Sequence, residues 1–274
     1  MDLSNPFYNA VRNDFYHMRR GRPISALSAA DMALIKPIAK VSEKKHSALI
    51  LLHGFTSTPA VFRLMKPLFA DYDTVICPAL PGHASSIKDL SNVHYQDWLL
   101  AAEQCVRDIA QTFDNIDVVG FSLGGLLASH ISHYVRLNHL YLIAPAFDLP
   151  YPISLLLKLA KGLKSLGFNL LRNTAGDLLS NEHTEIAYRK VPVTAIIELL
   201  TLLNEQPPAL PNCPTDVFLG RYDHVISSKR VAKRFSSVSC AQVHWLNESA
   251  HAIPLESDRY TIIQCIKRYQ KQSL

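Results

Sequence analysis

The chain has 274 residues, 48% of them hydrophobic, and a formal net charge of +5. That length and apolar fraction support one large core with an insertion and exclude a disordered chain or a second independent unit. Lysines and arginines are dispersed, with only short groups such as Lys229, Arg230, Lys233 and Arg234, which read as a solvated helix face. No nucleic-acid surface is therefore expected. No run approaches the roughly 20 apolar residues of a membrane span, so no stable membrane insertion is expected either.

Along the chain, the N-terminal MDLSNPFYNAVRNDFYHMRRGRP is basic, with no apolar run behind it and no small-residue cleavage pattern. No secretory signal is read there, and a cytoplasmic location is expected. The role of residues 1–32 is left unassigned, and an early strand is expected around Ala33 to Val41. Short apolar, β-branched runs then recur at Ser47–Leu52, Asp73–Cys77, Ile116–Val119, His139–Ile143, Thr215–Leu219 and Ala241–Leu246. Helical stretches alternate with them at Pro59–Phe69, Tyr95–Phe113, Leu123–Tyr134, Ser228–Phe235 and Asp258–Gln272. Strand followed by helix, repeated, predicts a mostly parallel sheet flanked by helices on both faces.

The alternation breaks over residues 148–210, which read as helices only, from ISLLLKLAKGLKSLGFNLL to VTAIIELLTLL, before the breaker-rich QPPALPNCP. The expected organisation is a core of residues 1–147 and 211–274 carrying a helical cap at 148–210. The apolar positions of the cap exceed a single stripe, so its helices need two apolar neighbours. They pack on each other, or they also wall an acyl-binding cavity. Cys77, Cys105, Cys213, Cys240 and Cys265 form no CxxC pair and are odd in number, which points to free, mostly buried thiols.

The strongest local signal is Gly120-Phe121-Ser122-Leu123-Gly124-Gly125, directly after the strand IDVV and directly before the helix LLASHISHYV. A sharp strand-to-helix turn holds the serine hydroxyl above the sheet edge and needs glycine on either side. The following helix presents unpaired N–H groups and its positive end to a developing oxyanion. His53-Gly54-Phe55-Thr56 closes the strand SALILL, where the N–H of Phe55 can join that of Leu123 in an oxyanion hole. His53 itself reads as a loop-fixing hydrogen bonder and not a proton carrier.

A serine hydroxyl becomes a good nucleophile only when a base takes its proton, and the base must be held by an acid. Asp223, in GRYDH just beyond TDVFL, is placed to be the acid; His251, in ESAH after AQVHWL, is placed to be the base. Asp148, after HLYLI, competes with Asp223, which is preferred on position. Of the 12 histidines, His251 alone lies in the expected loop between a strand and the last helix. His130, His133 and His139 lie on or after the helix that leads away from Ser122, His244 lies inside a strand, and His224 is adjacent to the acid. The chain order Ser, Asp, His suits a nucleophile elbow on such a sheet.

Five stretches, HGFTSTP (His53–Pro59), PALPGHASS (Pro78–Ser86), GFSLGG (Gly120–Gly125), GRYDHVI (Gly220–Ile226) and ESAHAIPLESD (Glu248–Asp258), occur in the order found in α/β-hydrolase carboxylesterases. The chain resembles that family, and within it the bacterial monoacylglycerol lipase and carboxylesterase group. The resemblance implies an α/β-hydrolase fold with Ser122, Asp223 and His251 as catalytic triad, the amides of Phe55 and Leu123 as oxyanion hole, and a cap that shapes the acyl pocket. Ala84 stands where the family usually has glycine after Pro-Gly-His. The implied activity is cofactor- and metal-free hydrolysis of small hydrophobic esters of short to medium acyl chains, monoacylglycerols among them, by a monomer or homodimer. The same nucleophile and hole also serve thioester cleavage, carbon–carbon cleavage or acyl transfer. A binding module that senses a hydrophobic ligand is the other class, and it normally lacks a triad member.

Overall fold

The computed structural model describes residues 13–206 and 208–273. Its centre is a seven-stranded sheet built from β3 (Ile38–Lys40), β4 (Ser47–Leu52), β5 (Thr74–Cys77), β6 (Asn115–Phe121), β7 (His139–Ile143), β11 (Thr215–Gly220) and β12 (Ala241–Leu246). The spatial order is β12-β11-β7-β6-β4-β5-β3. Every neighbouring pair is parallel except β3 with β5. The reason is visible in the sequence: β4, β6, β7 and β11 are largely apolar runs, and β4, β7 and β11 are buried at every position. Such strands need cover on both faces, which the helices between them supply. Trp98, Tyr141, Phe62, Phe121 and Phe218 are among the large side chains fully enclosed there.

The chain leaves β4 outward to β5 but returns to β6 on the other side and proceeds from there to β7, β11 and β12. The loops after β4 and β6 therefore diverge, and a crevice opens at the carboxyl ends of these two central strands. That is where the chemistry-bearing loops sit.

Several elements differ from the sequence expectation. The segment expected as one early strand, Ala33 to Val41, is the end of a helix (Ala29–Leu34, capped by Ser28 and Asp31) followed by the short β3. The helical stretch expected at Pro59–Phe69 is present as a 3₁₀ helix, Pro59–Leu68, with Pro67 inside it. An additional short helix, Ile87–Ser91, starts at a capping box formed by Ser86 and Asp89.

The region between β7 and β11 is not helices alone. Between the helices Ile153–Ser165 and Val193–Glu205 lie β8 (Leu170–Arg172), β9 (Glu185–Tyr188) and β10 (Lys190–Pro192). β8 pairs with β10, while β9 joins a hairpin from the beginning of the chain, β1 (Phe15–Arg19) and β2 (Arg22–Ala26), in a three-stranded antiparallel sheet. Each of these strands is too short for its periodicity to register, and β9 finds its partner β1 far away in the sequence. The two helices do pack on each other, but Leu155 and Leu159 of the first are half-exposed, so it lacks a second apolar neighbour on that side. All five cysteines are free. Among the described residues no helix is long and apolar enough to cross a membrane.

Candidate active site

Ser122 sits between β6 and the helix Leu123–Ile131 with φ 53° and ψ −113°, a backbone state that side-chain-bearing residues seldom adopt. The turn is over-determined by its neighbours. The Ser122 N–H donates to the Ile143 carbonyl at 3.0 Å, and the Ser122 carbonyl accepts from Gly125, Leu126 and Ala146. Two glycines allow the close approach of helix to strand. A Cβ on Gly124 would lie 2.0 Å from the Leu52 carbonyl oxygen, and one on Gly120 would lie 2.5 Å from that of Gly124.

The structure brings Ser122, His251 and Asp223 together. The Ser122 hydroxyl donates to His251 Nε2 at 3.0 Å, and His251 Nδ1–H donates to Asp223 Oδ2 at 2.8 Å. The other carboxylate oxygen of Asp223 accepts the N–H groups of Val225 and Ile226 at 2.8 and 2.9 Å, so the acid is fixed by its own loop. Burial by itself disfavours the imidazolium of His251, yet the Asp223 carboxylate, with Asp177 and Glu185 behind it, holds its pKa above the ordinary histidine value. Asp148, the competing acid, points elsewhere: it pairs with Arg234 and, at 3.7 Å, with Arg230. That pairing also occupies part of the basic helix Ser228–Phe235.

The loop after β4 is held by two buried histidines. The Leu80 N–H donates to His53 Nε2 at 3.0 Å, so the ring proton is on Nδ1, which donates to the Gly54 carbonyl at 2.9 Å. Across a trans peptide the N–H points opposite to the C=O. Anchoring Gly54 O on His53 therefore turns the Phe55 N–H to the opposite side. Gly54 lies close to the serine: a Cβ on it would come within 3.2 Å of Ser122 Cβ. Among the described residues neither the Phe55 nor the Leu123 N–H donates to a protein acceptor. His53 is the structural hydrogen bonder expected, and burial together with the nearby His83 pushes its pKa down to about 3.

His83 does the same work one loop away, and the sequence reading did not single it out. Its Nε2 accepts the Thr56 N–H and its Nδ1 donates to the Pro81 carbonyl, both at 3.0 Å, with burial lowering its pKa to about 4. The Pro-Gly-His string was its only signal. Next to it Ala84 adopts φ 53°, the left-handed state that glycine occupies without strain. For alanine this state costs roughly 1–2 kcal/mol, partly offset by the unfolded-chain entropy that glycine would add. Ala84→Gly is expected to stabilise the protein by about 0.5–1 kcal/mol, read as a melting-temperature rise of about 1–3 °C in a thermal scan. An unchanged or lower midpoint would show that the loop is not strained.

The region between β7 and β11 closes over these loops. Asn173 donates to Thr56 Oγ1 at 3.0 Å and to the Tyr188 carbonyl at 2.6 Å, and the Tyr188 N–H donates to the Thr56 carbonyl. The result is a cavity of about 340 Å³ whose lining includes Ser122, His251 and Phe55 together with Leu149, Val191, Ile196, Leu199, Leu203 and Val225. The helix Val193–Glu205 thus both packs on Ile153–Ser165 and lines the cavity. A neighbouring groove of about 770 Å³ shares Leu149, Thr174, Asp177 and Val225 with it and continues to the exposed Tyr151 and Leu179. Both volumes lie in the range that holds small organic ligands.

Away from the site, Asp216, His244 and Cys265 have donor atoms within 4.8 Å of one another. They lie towards the start of β11, the end remote from Ser122, and Asp216 already accepts from both His139 and His244. Its pKa is accordingly low, about 2, with burial opposing and the two histidines outweighing it. This is a satisfied buried network.

Comparison with known proteins agrees with the fold. A family model described as the alpha/beta hydrolase family matches residues 49–261. The chain is 27% identical to the thermostable monoacylglycerol lipase of Bacillus sp. (strain H-257) over 79% of this chain and 87% of that protein. It is 22% identical to a carboxylesterase of Bacillus subtilis (strain 168) over 87% of this chain and 98% of that protein. Among solved structures, one from work on LipS and LipT, two metagenome-derived lipolytic enzymes, superposes with a TM-score of 0.75 at 22% identity, covering 87% of this chain and 98% of that one. The monoacylglycerol lipase of Paleococcus ferrophilus superposes with a TM-score of 0.69 at 15% identity, with 87% and 98% covered. At these identities the structural likeness speaks to fold alone.

Proposed function

The chain belongs to the alpha/beta hydrolase family, and from that premise we propose that it hydrolyses carboxylic esters of short to medium acyl chains, monoacylglycerols included, with Ser122 as nucleophile, His251 as base and Asp223 as orienting acid. The observation that carries this reading is the unbroken hydrogen-bonded line from the Ser122 hydroxyl through His251 to Asp223, at 3.0 and 2.8 Å. The lipase and esterase names of its relatives support the same choice.

On this reading, His251 Nε2 takes the hydroxyl proton as Ser122 Oγ bonds to the ester carbon. The amides of Phe55 and Leu123 receive the negative charge that builds on the carbonyl oxygen. The imidazolium then protonates the departing alkoxide, leaving an acyl-serine. Water, deprotonated by the same nitrogen, releases the acid and restores the hydroxyl. Residues 148–210 act as the cap, with the acyl chain against Ile196, Leu199 and Leu203, which line the cavity.

The test is a p-nitrophenyl ester series from acetate to palmitate, run beside fluorophosphonate labelling with the adduct located by mass spectrometry. Turnover falling off at the longer chains, with the label on Ser122, is expected. No turnover anywhere in the series, or a label on another residue, would refute the assignment.

A further inference from the structure

The acid and the base of the proposed triad stand on two different loops, after β11 and after β12, and a third carboxylate spans both. Asp177 belongs to the insertion. One oxygen, Oδ2, accepts the backbone N–H of His224, the residue after Asp223, at 3.0 Å and the backbone N–H of His251 itself at 3.2 Å. The other oxygen accepts from His224 Nδ1 at 3.0 Å, and the Asp177 carbonyl accepts the Ala252 N–H at 3.0 Å. The loop carrying the base is thus held on both sides of His251 by one residue that lies far away in sequence.

The strap around Asp177 is itself anchored. The Gly176 N–H donates to Glu185 on β9 at 2.7 Å, and the Leu179 and Ser180 N–H groups donate to Glu256. The N-terminal hairpin grips the strap from outside. The Gly21 N–H donates to the Ala175 carbonyl at 2.9 Å, and the Arg20 guanidinium reaches the Leu178 and Leu179 carbonyls. Contact with β1 is so close that a Cβ on Gly176 would lie 2.4 Å from the Met18 carbonyl oxygen. A carboxylate held this rigidly imposes its geometry on what it binds.

We propose that Asp177 is a positioning residue for the His251 base, fixing the spacing of the two loops that carry acid and base and setting a second carboxylate at the backbone of His251. The inference rests on the reading of Ser122, His251 and Asp223 given above. The charged and titratable groups around His251 are Asp223 after β11, Asp177 on the strap, Glu185 on β9, Arg172 on β8, which lines the same cavity, His224 bonded to Asp177, Arg20 on the hairpin and Glu256 bonded to the strap. Asp177 and Glu185 both favour the imidazolium, after Asp223. The base works when neutral, so activity falls as pH drops through the His251 titration. Removing the Asp177 charge lowers that titration point and moves the fall to lower pH.

The test is Asp177→Asn, which keeps the shape and one acceptor but loses the charge. The acid limb of kcat/KM is expected to shift to lower pH, with kcat down about tenfold from the looser spacing and KM within about twofold. In parallel, the imidazole signal of His251, identified by its loss in His251→Gln, is followed by NMR against pH and is expected to titrate lower in the variant. If Asp177→Asn does not fold, Asp177→Glu, which retains the charge, serves: it is expected to keep the wild-type titration point while kcat still falls. A titration point and kcat unchanged in Asp177→Asn, or a loss of thermal stability alone, would overturn the proposal. The NMR titration needs no turnover, so failure of the esterase reading and failure of this one are told apart.

Discussion

Replacing Ser122 with Ala is expected to lower ester turnover by about a millionfold, to the level left by binding and the oxyanion donors alone, with no change in the fold. His251→Ala is expected to cost nearly as much, because the two act as one unit and their effects do not add. Ser122 also occupies a backbone state with φ 53° that stores strain. Ser122→Gly lacks the hydroxyl just as the alanine variant does, but glycine accepts that conformation. It is expected to be as inactive as Ser122→Ala and more stable by about 1 kcal/mol once the entropy of the glycine is subtracted. Steady-state kinetics with a p-nitrophenyl ester and chemical denaturation of the pair measure both halves. Turnover surviving in the alanine variant would dismiss Ser122 as nucleophile.

The second large effect separates the two candidate acids. Asp223 only accepts hydrogen bonds, which fixes the proton on His251 Nδ1 and leaves Nε2 free to accept from Ser122. An asparagine can turn its NH₂ towards Nδ1 and force the proton onto Nε2, which then cannot accept from the serine. Asp223→Asn is therefore expected to lower kcat by about 10⁴-fold, while Val225 and Ile226 keep their acceptor. Asp148→Asn is expected to leave kcat within about twofold, because Asp148 is engaged with exposed arginines and surface pairs of this kind contribute little. The reverse ranking of the two variants would move the acid to the loop after β7.

The sheet and the elbow were legible because their physics is local. A run such as SALILL or HLYLI can be satisfied only between two covered faces, and Gly120 and Gly124 flank a turn where a Cβ would collide with backbone. Asp223 and His251 were legible because each follows a strand directly. What escaped the sequence depends on partners far along the chain. EIAY is buried throughout, yet its four residues give no period, and its partner FYHMR lies about 170 positions earlier. Asp177 sits in NTAGDLLSNEH, a polar stretch of ordinary loop composition, and its use becomes visible only when two distant loops converge on it. The left-handed state of Ala84 was hidden for the opposite reason: alanine gives no sign of a turn that glycine would have announced.

The pairing of β1 and β2 with β9 sets a timetable for the growing polypeptide. The hairpin emerges from the ribosome before β9, whose residues are made only after about 160 more, roughly 8–32 s later at ordinary translation rates. In that interval β1 has an open edge, and an open edge is where chains associate wrongly. The outer strand β2, charged at Arg22 and interrupted by Pro23, blocks one side of the hairpin from such pairing; the other side stays available until Glu185 to Tyr188 arrive and close it.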